Sequence, residues 1–366
     1  MNKVPYTSFK KIVEDNKAEY TKSFIKTLDS GNYINGKECI KFEKYFSKYC
    51  NVKYATGTSN GTCALRMGME ELNLEAGSEV ITPPNSFIAS TSSIISSNLK
   101  PRFVDITDDW NMDIDQIENY INAKTRAIMA VHLTGRPMDM FKINKIAKKH
   151  KLIVIEDAAQ SIGAKFKNQK IGSFGDFACF SLHPLKNLFA FGDGGMIISN
   201  SKKFVKKISI RKNHGLSSRD TCDYFSCNCR LDEFQASLLN VQIKNIDKIN
   251  RTKRKIAKSY NESLSEFVTV PLETKDEFHV YQTYVIFTEK RDQLQKFLNK
   301  KGIQSIVHYP TPIHLQPASK DLGYKKGDFP ITERLSKKVL SLPSFVGMSD
   351  SQVSYVIDNI RLFFKS

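Results

Sequence analysis

No apolar run in this chain of 366 residues approaches the ~20 that a membrane-spanning helix needs. The opening residues, Met1-Asn2-Lys3-Val4-Pro5-Tyr6, carry no apolar stretch of the secretory kind, so no signal peptide is expected and the cytoplasm is the expected compartment. Cysteine is sparse and odd in number, seven residues without the spacing of a secreted disulfide scaffold. The tightest group, Cys222, Cys227 and Cys229, has neither a CxxC pair nor a nearby histidine, so reduced thiols are expected rather than a metal site. Internal repeats and low-complexity tracts are missing too. Acidic charge is in deficit, with 38 Asp and Glu against 55 Lys and Arg, a formal net charge of +17. Such an excess suits nucleic acid, an anionic membrane or an anionic small substrate. Lysine is nevertheless scattered over the whole chain. Its densest patch, Lys244 to Lys258, sits among Leu239, Ile243, Ile246, Ile256 and Tyr260 at helical spacing, which reads as an amphipathic helix with a solvated basic face. Neither a nucleic-acid nor a membrane surface is therefore expected.

What remains is an ordinary globular composition, 40% hydrophobic and 25% charged, long enough for one large domain and a smaller one. Short apolar runs read as strands: Glu79–Thr82, Arg126–His132, Leu152–Asp157, Ala178–Leu182 and Gly195–Ile198. A helical pattern separates two of them, from Met140 to His150. Buried strands alternating with helices predict an α/β domain around a mainly parallel sheet. A long helix, from about Leu231 to Leu264, is expected to lead into a second domain. That domain contains a strand over Tyr281–Phe287, a helix near Arg291 to Lys301 and a returning strand over Gly302–Ile306. The expected division is 1–245, a large α/β domain with an N-terminal segment, and 246–366, a small α+β domain.

Ligands on parallel sheets bind beyond the carboxyl ends of the strands, and the chemistry-bearing residues cluster at those ends. Gly57 to Leu65 reads as a small-residue turn opening a helix. Free N–H groups and the helix dipole there make either an anion site, with Gly61 admitting a phosphate and Thr62 adding a hydroxyl, or a simple cap. Asp157 ends an apolar strand. A carboxylate in that place binds a metal, orients a base, pairs with a cationic ring or caps a helix, and Gln160 follows one turn on. Lys186 lies in Ser181-Leu182-His183-Pro184-Leu185-Lys186-Asn187, between a buried strand and the glycine-rich Gly192-Asp193-Gly194-Gly195. A lysine in such a cleft loses its proton readily and forms imines. Ser181 is a candidate phosphate donor. Asp232 is a candidate helix cap, and Asn228 and Arg230 read as ligand-facing or as plain loop residues.

Taken together, Asn60-Gly61-Thr62, Glu156-Asp157-Ala158-Ala159-Gln160, Ser181-x-His183-Pro184-x-Lys186-Asn187, Gly192-Asp193-Gly194-Gly195 and Asn228-x-Arg230-Leu231-Asp232-Glu233 resemble the DegT/DnrJ/EryC1/StrS sugar aminotransferases. Val131–Pro137, His308-Tyr309-Pro310 and Phe329-Pro330-x-x-Glu333-Arg334-Leu335 extend the resemblance from about Tyr6 to the C-terminus. It implies fold type I of the pyridoxal-phosphate (PLP) enzymes, the aspartate aminotransferase fold, and a homodimer with active sites at the interface. It implies Lys186 as the Schiff-base lysine, Asp157 on the pyridine nitrogen and Gln160 near the ring hydroxyl. Gly61, Thr62 and Ser181 would hold the phosphate and Phe87 would stack on the ring. Asn228 would reach the phosphate from the partner subunit, with Arg230 near the substrate. His183, His308, Tyr309 and Phe189 are the remaining expected substrate residues; His183 reads equally as a sugar contact or a packed loop residue.

The chain departs from the family pattern at Leu182, where phenylalanine is usual, at Phe189, where a small residue is usual, and at Cys227 and Cys229. The expected reaction is transfer of an amino group from L-glutamate, through pyridoxamine phosphate, to a keto-sugar that is nucleotide-linked, in amino-sugar and lipopolysaccharide-type synthesis. The alternative acceptor is a free keto-sugar acid such as an 8-oxo-octulosonate. A sugar dehydratase of the same fold would carry histidine in place of Lys186, and a non-catalytic regulator would not need the full cofactor set.

Overall fold

The computed structural model describes residues 3–365. In chain order its helices and strands are α1 (Lys10–Asp29), α2 (Lys37–Cys50), β1 (Tyr54–Thr58), α3 (Gly61–Glu71), β2 (Glu79–Thr82), α4 (Ile88–Ser96), β3 (Lys100–Phe103), β4 (Thr125–Val131), α5 (Met140–His150) and β5 (Ile153–Asp157). There follow β6 (Lys165–Phe166), β7 (Gln169–Lys170), β8 (Phe177–Ser181), β9 (Gly195–Ser199), α6 (Lys202–Arg211), α7 (Glu233–Gln242) and α8 (Ile246–Leu264). The chain closes with β10 (Glu277–Phe278), β11 (Tyr284–Phe287), α9 (Arg291–Lys300), α10 (Pro330–Ser336), β12 (Val339–Leu342) and α11 (Asp350–Lys365).

The central sheet has seven strands in the order β1-β9-β8-β5-β4-β2-β3. Only β9 runs against its neighbours; the other strands point the same way. Side chains alternate across this sheet, as the pleat requires. On β4, Ala127, Met129 and Val131 join one apolar core, shared with α3, α4 and α6, while Ile128 and Ala130 join another, shared with α2, α5 and α7. Both faces are thereby dry, which is why these strands read as continuous apolar runs. A third core gathers Val4, the later part of α8, β11, β12, α9 and α11.

The predicted α/β architecture and mainly parallel sheet are present. The predicted helix from Leu231 to Leu264 is instead two helices, joined by a 3-10 turn at Ile243–Asn245. The buried stripe changes core beyond that turn, within α8: Leu239, Ile243, Ile246 and Ile249 pack under the central sheet, Ile256, Ala257 and Tyr260 in the third core. Gly57 and Thr58, read as turn, belong to β1, where they pair with Met196 and Gly195. Gly302–Ile306 is not a continuous strand. Its pairing is split between two single bridges, Val4 to Ile303 and Ile306 to Ser341, so no run of ladder bonds builds up. Asp232 stands at the N-cap of α7 but makes no side-chain cap bond. The adjacent Glu233 does the capping, and for a different helix: its carboxylate accepts the N–H groups of Gly36, Glu38 and Cys39 at 2.8–2.9 Å, closing the N-terminus of α2.

Candidate active site

The carboxyl ends of β1, β4, β5 and β8 open into one cavity of about 540 Å³. Each end delivers a functional group. After β1, Asn60 caps α3 by accepting the Cys63 N–H at 2.8 Å. The N–H groups of Gly61 and Thr62 are thereby left at the helix start with no acceptor inside the helix, and both residues line the cavity. A Cβ on Gly61 would come within 3.0 Å of Ser181 Cβ and 3.2 Å of its Cα, so the missing side chain is what lets α3 abut the end of β8. Gly195 is under a sharper version of the same constraint, since a Cβ there would lie 2.4 Å from the Asn60 carbonyl.

Asp157, last in β5, is buried. Ser90 Oγ donates to one of its oxygens at 2.6 Å and the Ala159 N–H to the other at 3.2 Å. Burial pushes its carboxyl above the ordinary range, and Ser90, the Ala159 N–H and the nearby Lys186 and His132 pull it back. Lys186 follows β8, in a turn closed by its own N–H on the His183 carbonyl at 2.8 Å. Burial drives its ammonium down to about 8, opposed by the charge of Asp157. The turn is clamped from behind. Asn187 N–H donates to Gln282 Oε1 at 2.8 Å and Asn187 Nδ2 to Asn250 Oδ1 at 2.9 Å. Lys253 Nζ donates to Asn187 Oδ1 at 2.9 Å and to the Gln282 carbonyl at 2.8 Å.

Gln160 Oε1 accepts the Thr134 N–H at 2.7 Å. Phe87 and Tyr309 face each other with ring centroids 5.9 Å apart. His308 shares a hydrogen bond of 2.8 Å with Ser341 Oγ, and burial followed by the charge of Lys186 lowers its imidazole to about 4, so it is neutral at physiological pH. His183 accepts the Leu185 N–H on Nδ1 at 3.2 Å while its exposed ring borders the cavity. Both readings of that residue, loop packing and ligand contact, thus have a physical basis.

Of the expected residues, Gly61, Thr62, Phe87, Asp157, Gln160, Ser181, His183, Lys186, His308 and Tyr309 line the cavity. Phe189 does not. It is buried against Phe9 and Phe191, with ring centroids at 5.1 and 5.7 Å, because its backbone N–H is tied to Gln242 and turns the ring toward the N-terminal helix. Asn228 and Arg230 also lie off this cavity. Asn228 is exposed, and Arg230 donates to Asn213 Oδ1 at 3.0 Å. Sequence reasoning missed Tyr6, Ser90, His132 and Lys253 as cavity residues. His132 sits inside a quoted motif. It accepts the Met138 N–H on Nδ1 at 3.1 Å and sets Nε2 3.4 Å from the buried Glu156 carboxylate. Lys253 was counted on the solvated face of the basic helix, yet it is buried with Ile249, Ile256 and Tyr260, on the apolar stripe of α8.

A mainly parallel sheet with this lysine, this carboxylate and an open helix N-terminus at its strand ends is the architecture of PLP enzymes of fold type I. The profile of the DegT/DnrJ/EryC1/StrS aminotransferase family matches residues 14–361. The "Pleiotropic regulatory protein" of Geobacillus stearothermophilus is 38% identical over 99% of both chains. The dTDP-3-amino-3,6-dideoxy-alpha-D-galactopyranose transaminase of Aneurinibacillus thermoaerophilus is 36% identical, over 98% of this chain and 99% of that one. The crystal structure of S. venezuelae DesV, in complex with a ketimine intermediate, superposes with a TM-score of 0.97 at 32% identity, covering all of both chains. The chain belongs to the DegT/DnrJ/EryC1/StrS family and is a PLP-dependent transaminase.

Proposed function

We propose that the enzyme moves an amino group from L-glutamate to a nucleotide-linked keto-sugar, with Lys186 at the reacting centre. The observation that carries this reading is the joint presence of Lys186, Asp157 and the start of α3 on one cavity. The residues present suit the cofactor. The acceptor-less N–H groups of Gly61 and Thr62, with the Ser181 hydroxyl beside them, suit a phosphate. Asp157, whose carboxyl burial raises, suits a cationic ring nitrogen. Bound PLP supplies an aldehyde and a ring that takes up electrons.

Asp157, to which Ser90 donates, would keep the ring nitrogen protonated. Phe87 would pack on the ring, and Gln160, which accepts the Thr134 N–H, would address the ring hydroxyl. Lys186 Nζ would hold the cofactor at rest and, when free, would be the general base that takes the proton from the carbon bearing the amino group, and the acid that gives it back. His183, His308 and Tyr309 bind the acceptor. Asn228 and Arg230 serve the partner subunit's site, which makes the homodimer part of this proposal. An exposed apolar face supports that assembly: Phe24, Ile25, Leu28, Tyr33 and Ile34, with Phe24 and Tyr33 packed on Phe234. Division into domains at 245/246, a cytoplasmic location and a place in amino-sugar synthesis belong to the same reading.

The test is to load the protein with pyridoxamine phosphate and offer a panel of nucleotide-linked keto-sugars and free keto-sugar acids, following cofactor absorbance. Return of the pyridoxal spectrum with a nucleotide-linked sugar is expected. Turnover with free acids alone transfers the reading to that acceptor class, and no turnover with any sugar, despite bound cofactor, overturns it in favour of a regulator.

A further inference from the structure

Seven free cysteines are present, and three of them meet beside the cavity. Cys229 Sγ lies 3.2 Å from Cys63 Sγ and 3.3 Å from Cys227 Sγ. Cys63 is the third residue of α3 and lines the cavity, so a small oxidant in the cavity reaches it. Cys229 is buried behind it and Cys227 is half-buried. Arg66, one turn along α3, donates to Cys227 Sγ at 2.9 Å and pairs with Glu70 at 3.4 Å. These are the charged and titratable groups that face the cluster. The hydrogen bond from Cys229 pulls the Cys63 thiol down to about 6 against the opposing effect of burial, with help from Ser59, Arg66 and Asn60. Its position in the first turn of a helix acts in the same direction. Cys229, hydrogen-bonded to Cys63 and buried, is pushed well up and keeps its proton. An acidic thiol and a protonated one thus stand in contact at 3.2 Å, and a modest side-chain rotation separates them from bonding distance, about 2.05 Å. Among the described residues no group of three or more candidate ligands is arranged to hold a metal, and Arg66 already occupies Cys227, so thiol oxidation is the chemistry left to this cluster.

We propose that Cys63 and Cys229 form a hydroperoxide-responsive thiol pair at the start of α3. The Cys63 thiolate attacks one peroxide oxygen and the O–O bond breaks. Cys63 becomes a sulfenic acid, and the departing hydroxide takes a proton and leaves as water. Cys229 sulfur then attacks Cys63 sulfur, the S–O bond breaks, and the departing hydroxide takes the Cys229 proton, giving a disulfide and a second water. Two thiols are oxidised by two electrons and one peroxide is reduced to two waters. Cys227 is the thiol through which the new bond can migrate by exchange. The disulfide staples the anion-ready turn of α3 to the segment carrying Asn228, whose backbone already binds there through the Ser59 N–H on the Cys229 carbonyl at 3.0 Å.

The test uses cofactor-loaded protein, prepared reduced and treated at pH 7 with equimolar hydrogen peroxide. N-ethylmaleimide in denaturant then blocks the remaining thiols before digestion and mass spectrometry. The expected result is loss of two of the seven free thiols, recovered as a Cys63–Cys229 linked peptide that dithiothreitol reverses. Cys229→Ser abolishes the link and leaves a Cys63 sulfenic acid that dimedone captures. Circular dichroism and the cofactor's visible band check that this variant is folded, and Cys63→Ser, with Cys229 then fully alkylated, is a second route to the same answer. Full alkylation of both residues after peroxide, or oxidation confined to the exposed Cys222, overturns the proposal.

Discussion

Lys186 shows how a fold retunes an ordinary side chain. Its amine is held near 8 by burial, while Asp157 keeps it from falling further. Only the neutral amine attacks an aldehyde, so the sign of the pH dependence follows. Below 8 the amine is mostly protonated, and at pH 7 roughly a tenth is reactive. With the cofactor removed, capture of added PLP is expected to speed up about tenfold per pH unit below 8 and to level off above it, as stopped-flow absorbance would record. Asp157→Asn removes the charge that raises the amine, so its plateau is expected at lower pH. An unmoved plateau would mean that the two groups are not electrostatically linked. Lys186→Ala is expected to lower turnover by roughly 10²–10⁴-fold or more while the fold persists, the range for losing a general acid–base group. That Lys186 and Asp157 border one cavity was legible in the sequence, because each ends or follows an apolar run, where a charge is conspicuous. Ser90 and Lys253 were not. Ser90 acts through a contact 67 positions away in sequence. Lys253 belongs to a run rich in lysine, and only its place on the buried stripe of α8, between Ile249 and Ile256, sets it apart.

Among the elements, α3 is the part most exposed to a local test. Its cap, Asn60, serves two ends at once: it satisfies Cys63 N–H and leaves those of Gly61 and Thr62 open. Asn60→Ala is expected to cost about 1 kcal/mol in a denaturant titration of the cofactor-free protein. A further loss is expected in the loaded protein, since the helix start is then free to fray. Equal losses in both forms would deny α3 a part in holding the cofactor. Five strands of the central sheet, β2, β4, β5, β8 and β9, were readable because both faces are dry and their middles are apolar; β1 and β3, whose sequences mix polar and charged residues, were not. The break between α7 and α8 was not, because the stripe stays in register through Ile243 and Ile246 and no proline or glycine marks the turn. Phe189 misled for another reason. Nearness to Lys186 in sequence says nothing of direction, and its backbone bond to Gln242 points it away.

At the scale of the whole molecule, the exposed face of α1 is expected to close on a second copy. Phe24→Asp combined with Leu28→Asp should give a monomer by light scattering, with turnover lost while PLP can still react with Lys186. An unchanged mass would place the assembly surface elsewhere. The wide spread of lysine, and not any single patch, sets the charge of the remaining surface.

The α7–α8 pair gives its first half to the interior under the central sheet and its second half to the interior around β11 and β12. Neither interior can open without stripping side chains from a rod that the other still grips. Heat is therefore expected to melt the cofactor-free chain in a single calorimetric peak, and two resolved peaks would show that the rod gives way in its middle. If the rod holds, any sway of the third core against the sheet reaches Lys253 and, through Asn187, the turn that bears Lys186.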